Sequence, residues 1–282
     1  MADPRTSTTP SSGTLAVLEY LWGSTCDARL LHFTIDVVLR GDYFGFIAKQ
    51  ALAGEDDYKI LTPEELAKTK PGPLITELRK SRQQLLEMFL SRAVDNFQHY
   101  LVDVIRVALQ KEPRILSERK QELTLGKILQ FESIEALTRN IIETKLSSLA
   151  YEGFGALEKW CGEKTIPLVV PDGSRPKVIE LIALRNIIVH ARGRVDDRYK
   201  AAVPSSVLEL GQKREIEVDD LFDAIGLLNS IVIATDGAIT QKFGLQLHDI
   251  QDELARRTAA RHGQTSQNIA NVGSADENNH EE

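Results

Sequence analysis

The chain has 282 residues, 42% of them hydrophobic, enough for one large domain or two small ones with a real core. Its net charge of -7 argues against a surface coated all over with nucleic-acid-binding charge, and leaves room only for a local basic patch. The two cysteines, Cys26 and Cys161, form no CxxC pair, which argues against a disulfide framework or a cysteine-rich zinc site; both read as isolated buried thiols.

Residues 1–13 are rich in Ser, Thr and Pro, lack the apolar stretch of a secretory signal and read as a disordered end. Residues 14–70 read as an N-terminal helical extension of two or three short helices, although "LHFTIDVVL" fits a strand equally well. The breaker "KPGP" at 70–73 marks a boundary. Beyond it Leu86, Phe89, Leu90, Ala93, Phe97, Leu101, Val104 and Ala108 recur every three or four residues, which predicts an amphipathic helix over 74–110 that Pro113 ends. A second helix is expected over 131–151, and a short one through Trp160. Ser174 as N-cap, Pro176 in the first turn and Gly193 as a left-handed stop delimit a helix over 175–192. "VLELGQKREIEV" alternates apolar and polar residues on both sides of Gly211, which predicts a small hairpin. Asp219 or Asp220 opens a last long helix through Phe243, followed by a C-terminal helical extension over 246–262 and a tail, 263–282, with almost nothing to bury. The expected fold class is therefore mainly α: a helical bundle over 74–245 with a small β-hairpin insert and an N-terminal helical extension. No apolar run approaches the ~20 residues that span a bilayer, so the expected location is cytoplasmic and no membrane partner is expected.

One tetrapeptide occurs twice. "RNII" at Arg139–Ile142 is followed by Glu143 and Thr144, whereas at Arg185–Ile188 it runs on as "RNIIVHARGR" and reaches His190. On a helix of 100° per residue with Val178 at zero, Leu181, Ile188, Val189 and Ile182 span about 280° to 40°, and Arg185 falls inside that stripe near about 340°. Asn186 and His190 stand together at its edge as an i, i+4 pair. A permanent charge in a stripe meant for burial needs a partner, a wet cavity or an interface. Arg185 and His190 lie about 140° and ~7.5 Å apart on a regular helix. They converge only if the last turn loosens near Gly193, or if a second copy lies antiparallel across a two-fold axis.

The neighbourhood is basic. Between Arg175 and Lys200 seven Lys or Arg face three Asp or Glu, which makes Arg192, Arg194 and Arg198 candidates for holding substrate. A guanidinium fork suits phosphate oxygens, and an imidazole moves protons near neutral pH. RNA cleavage without a metal needs both, because the ribose 2′-OH must lose a proton, the leaving oxygen must gain one, and transition-state charge must be held. In that reading His190 transfers protons, Arg185 holds charge and Asn186 orients. The first copy offers no such group after Ile142, so Arg139 reads as a solvated or salt-bridged helix residue.

The segment "ELIALRNIIVHARGRVDDRY" resembles the signature of the HEPN superfamily, all-helical domains marked by Arg, a polar residue that is commonly Asn, about three further residues, then His. The helix "SRAVDNFQHYLVDVIRVAL" is similar to the opening helix of the large bacterial branch of that family. The likeness covers residues 78–243 and implies a homodimer with a composite cleft. It implies, further, a metal-independent endoribonuclease acting on RNA in toxin–antitoxin, phage-defence or RNA-processing settings, where an antitoxin or other regulatory protein is a partner. The motif carries over as Arg185, Asn186 and His190. Subfamilies neutralised by a nucleotidyltransferase carry Tyr two residues after the His, where this chain has Arg192; that departs from their form of regulation.

Two other function classes stay open. A non-catalytic member of the same fold would hold RNA, a nucleotide or a partner protein in the cleft without cutting; a metal-dependent hydrolase would need ligand spacing that the sequence does not show. His32, His248, His262 and His280 have no such spacing, so no metal and no cofactor are expected. His99 and Asp103 read as a surface pair at i, i+4, with a supporting role in the cleft as the alternative. Trp22 and Trp160 read as core or interface anchors.

Overall fold

The computed structural model describes residues 10–52, 72–117 and 123–260. Within them the chain is mainly α-helical. In chain order the elements are β1 (Ser12–Gly13), α1 (Leu15–Leu52), α2 (Pro73–Lys80), α3 (Arg82–Lys111), α4 (Leu125–Ile128), α5 (Ile134–Glu152), α6 (Phe154–Glu163), α7 (Arg175–Ala191), α8 (Asp197–Ala202), α9 (Val218–Phe243) and β2 (His248–Asp249). A 3-10 turn, Pro113–Leu116, follows α3, and residues 250–260 are again helical. The readings of the tail over 263–282 and of most of "KPGP" fall outside the described residues.

The chain forms two compact units. One consists of Met1–Trp22, Phe97–Pro171 and Asn229–Glu282; the other of Gly23–Asn96 and Asp172–Leu228. In the first unit, residues expected to be unstructured are tied down. Ser12–Gly13 pairs antiparallel with His248–Asp249, and the Ile250 N–H donates to the Ser11 carbonyl. Beside this pair Thr14 donates its N–H to Asp236 Oδ2 at 3.0 Å and its hydroxyl to Oδ1 at 2.5 Å. A two-residue strand whose partner lies more than 230 positions away leaves no periodic signal in its own neighbourhood. The core of this unit is built from Phe97, Leu101 and Val104 of α3, Ile142 and Leu146 of α5, Trp160 of α6 and Val232 of α9. The Tyr100 hydroxyl donates to the Val232 carbonyl at 3.0 Å, which satisfies the one polar atom of a fully buried ring.

Several predicted elements hold with shifted ends. The helix expected over 74–110 is present but broken at Ser81, whose N–H still bonds the Glu77 carbonyl, so α2 and α3 follow one another with a single non-helical residue between them. Ser133 caps α5 by accepting from the Ala136 N–H. At the start of α9 the Asp220 carboxylate reaches back to the Glu217 N–H, the reciprocal half of a capping box. Ser174, in contrast, sits in the helical region and makes no side-chain cap bond, so α7 begins on Pro176 chemistry alone.

Three expectations are corrected. Residues 15–52 form one helix of 38 residues, not several short ones or a strand. The small antiparallel sheet is β1 with β2 and not a hairpin at Gly211. There Gly211, at φ +79°, turns the chain, but the following residues pair with the end of α7: the Val195 N–H donates to Gln212, that of Gly211 to Val195, and that of Arg214 to Gly193. Finally, α9 is, by length and composition, long and apolar enough to cross a bilayer, and less than half of that apolar stretch is buried inside the protein. No such run was expected; Asp236 lies within it, buried and bonded to Thr14.

Candidate functional site

The second unit carries every residue of the motif. Helix α7 buries Val178, Leu181, Ala183, Leu184 and Ile187, which centres its buried face near about 240° on the wheel used above, roughly 100° from the expected stripe. Val189, expected inside, is 51% exposed. Arg185 therefore lies on the shoulder of the buried face, and its side chain is 25% exposed.

The partner of that charge is Asp95 on α3. Arg185 Nε stands 2.6 Å from Asp95 Oδ1, an ion pair by distance, yet the buried Nε–H is not aimed for a hydrogen bond. The Coulomb attraction between the two charges holds all the same, because it does not depend on N–H direction. Arg185 Nη1 donates to Asn186 Oδ1 at 3.2 Å. One edge of the fork is thus anchored, and Nη2 makes no hydrogen bond among the described residues. Asp95 was not foreseen; its signal is an acidic residue set between the buried Val94 and Phe97 in a helix read only for its apolar spacing.

His190 and Asn186 are exposed. Helical geometry persists through His190 to Ala191, and the helix widens only beyond it: the N–H groups of Arg192 and Gly193, five and six residues on, both reach the Ile187 carbonyl, the latter at 2.9 Å. Arg185 and His190 consequently point about 140° apart within one chain.

Arg192 occupies the left-handed region at φ +55°, followed by Gly193 at +74°. Only the glycine was expected there. The backbone bonds from 211–214 to 193–195 hold this turn, and Arg194 Nη1 adds a bond to the Gly211 carbonyl at 2.9 Å. A non-glycine residue pays in sterics for that conformation. Arg192→Gly should raise the denaturant midpoint, adding about 0.5–1 kcal/mol; an unchanged or lower midpoint would mean that the arginine side chain contributes packing.

The basic stretch is partly neutralised. Lys177 pairs with Glu180 at 3.2 Å, and Lys200 Nζ staples the Ser206 and Leu208 carbonyls. The side chains of His190, Arg192 and Arg198 are exposed without a partner among the described residues. Packing of α8 beside α7 brings Arg198 into the neighbourhood of the motif helix.

The other candidates separate from this group. His99 is exposed in the first unit and does not pair with Asp103, whose carboxylate binds Arg106 together with Glu143. In the first "RNII", Arg139 and Asn140 are exposed on α5. Burial pushes the Cys161 thiol up to about 12, with Glu158 adding to the shift, so it is a protonated core residue at neutral pH. No group of three or more His, Cys, Asp or Glu placed to hold a metal occurs among the described residues.

Comparison with protein-family models, with curated proteins and with solved structures finds no match.

Proposed function

We propose that the protein is a metal-independent endoribonuclease of the HEPN type, and that it works as a homodimer in which Arg185 of one copy and His190 of the other line one cleft. The observation that carries this reading is the treatment of Arg185: a guanidinium held at the edge of the core by Asp95 and Asn186, with outer nitrogen left for a phosphate. Further along the chain His190 near the end of α7, Arg192 at its cap and Arg198 on α8 are exposed and unengaged among the described residues. Because α7 stays regular to Ala191, proton carrier and charge holder converge only when two helices meet antiparallel.

The reaction would be attack of a ribose 2′-oxygen on the adjacent phosphorus. The 2′-OH gives up its proton to a base, the new P–O bond forms, the P–O5′ bond breaks, and the 5′-oxygen takes a proton. The products are a 2′,3′-cyclic phosphate and a 5′-hydroxyl. An imidazole can serve either transfer, and the guanidinium fork offsets charge on the non-bridging oxygens. Cleavage of RNA in EDTA, with DNA resistant because it has no 2′-OH, is the test. Loss of activity in EDTA, or equal cutting of DNA, would overturn the mechanism.

A second reading draws on the same contact. Asp95 stands where an anion would stand, so the cleft could bind RNA weakly without cutting it. RNA retention on a filter with no cyclic-phosphate product over a long incubation would favour that binding role.

The first "RNII" supplies an internal control. Arg139→Ala should leave cleavage within a few-fold of wild type, because an exposed helical arginine contributes at most about 1 kcal/mol. A folded variant that has lost activity would show that α5 takes part.

A further inference from the structure

One half-buried carboxylate of the second unit has no part in the mechanism above. Glu87 lies on α3 roughly two turns before Asp95, and its side chain is 15% exposed. Its Oε1 meets three neighbours. Gln83 Nε2 donates to it at 3.2 Å, Lys213 Nζ stands 3.0 Å away, and a Cβ placed on Gly193 would come to 3.3 Å. Gln83 in turn accepts from the Ile216 N–H at 3.3 Å. The side of α3 that holds Arg185 through Asp95 therefore continues under the turn that ends α7.

That turn is strained. Arg192 at φ +55° and Gly193 at φ +74° both stand in the left-handed region. Gly193 is also buried, and Lys213 Cε would lie 3.4 Å from the same Cβ position, so a side chain at 193 would press on the ion pair. Lys213 belongs to the segment that holds the turn. It forms an antiparallel bridge with Arg194, and the N–H of the next residue, Arg214, donates to the Gly193 carbonyl at 2.9 Å. A non-glycine residue keeps a left-handed backbone only where its surroundings over-determine it, and such places concentrate at functional sites. A partly buried ion pair adds little net stability, because lost hydration offsets the Coulomb gain. What it does supply here is a fixed direction for the backbone from which the exposed Arg192 side chain leaves.

We infer that Glu87 is a positioning residue: through Lys213 and its close approach to Gly193 it fixes the turn that aims Arg192 at an RNA phosphate, a role that rests on the ribonuclease reading for its ligand. His190 lies within the regular part of α7, before the turn. Glu87 should therefore act on the holding of substrate and not on proton transfer. The sign of the effect is informative. Removing an anion beside a site for a polyanion should by itself strengthen RNA binding, whereas releasing the aimed guanidinium should weaken it.

Steady-state cleavage of one single-stranded RNA by the full chain, read together with amide hydrogen exchange, tests this role. Glu87→Gln should raise KM about fivefold, the upper end of what one exposed ion pair contributes, with kcat within about twofold of wild type. Exchange at the Val195 and Arg214 N–H groups should speed up several-fold. Swapping the charges, Glu87→Lys with Lys213→Glu, should bring KM back towards wild type. In an Arg192→Gly background, which lacks the guanidinium, Glu87→Gln should leave KM unchanged or lower it, an outcome that general loosening of the fold does not give. Ser91→Ala, one turn along the same side of α3, removes a buried hydroxyl that has no hydrogen-bond partner and should move neither readout. A KM that holds or falls in Glu87→Gln with Arg192 in place would overturn the inference, and so would unchanged exchange. If the wild type retains RNA on a filter without cutting it, the ribonuclease reading alone falls, and the same comparison is made on Kd. RNA that is neither cut nor retained would overturn both.

Discussion

Replacing His190 by Ala should lower RNA cleavage by ~10²–10⁴-fold, the range that one positioned acid–base group contributes, while filter binding of RNA changes little. The side chain is exposed and has no partner among the described residues, so its removal leaves no buried group unsatisfied and the fold should survive. Arg185→Lys should also be poor: an ammonium keeps the charge but cannot face Asp95 with one edge and a phosphate with another. The dimeric arrangement makes a sharper demand. Mixing Arg185→Ala chains with His190→Ala chains should restore part of the activity, because one of the two clefts in a mixed dimer then holds an intact pair. If the mixture is as inactive as its parts while mixed dimers form, the composite cleft is wrong. If His190→Ala cuts as fast as wild type, the histidine is a helix-end residue and the ribonuclease reading fails with it.

What the sequence conveyed about the fold depended on how local each signal is. Helices α3, α5 and α9 announce themselves because their buried residues repeat at 3.6 and their ends carry breakers or caps, such as Ser133 with Ala136. Helix α1 does not. Its apolar residues occur all round the helix, so neither the helical nor the strand period stands out, and "LHFTIDVVL" reads both ways although its backbone is helical. Around Gly211 the alternation is real, and the turn forms with Gln212 bonded back to Glu209, but beyond that turn the segment finds its backbone partners at 193–195 instead of on its own other arm. At the site, the motif marked α7 and its basic surroundings but not the identity of the counter-charge. Asp95 lies 90 positions from Arg185, and only the packing of α3 on α7 brings the two to 2.6 Å.

Thr14→Val should cost the first unit roughly 1.5–3 kcal/mol at neutral pH, the range for a hydrogen bond to a buried charged group. Asp236 is 5% exposed in the middle of α9. Burial raises its carboxyl above the ordinary value, and the Thr14 hydroxyl and N–H pull it partway back. Valine keeps the N–H and the shape but removes the hydroxyl that meets Oδ1, so the folded-state pKa climbs further. The sign follows from linkage. A carboxyl whose folded pKa exceeds its unfolded one holds its proton more tightly in the native state, so stability falls as pH rises from the unfolded value through the folded one. With both proteins protonated at acid pH, the variant should differ from wild type by little more than one neutral hydrogen bond. The gap should then widen as pH rises and level off once both carboxyls are ionised. Trp22 and Trp160, the two tryptophans of the chain, both lie in this unit, and urea unfolding followed by tryptophan fluorescence reads its stability directly. In an Asp236→Asn background the pH dependence of the Thr14→Val effect should vanish, since the coupled ionisable group is gone. An equal loss at every pH in the Asp236 protein would mean that the hydroxyl matters through Val17, whose N–H it also accepts at 3.3 Å, and not through the carboxylate.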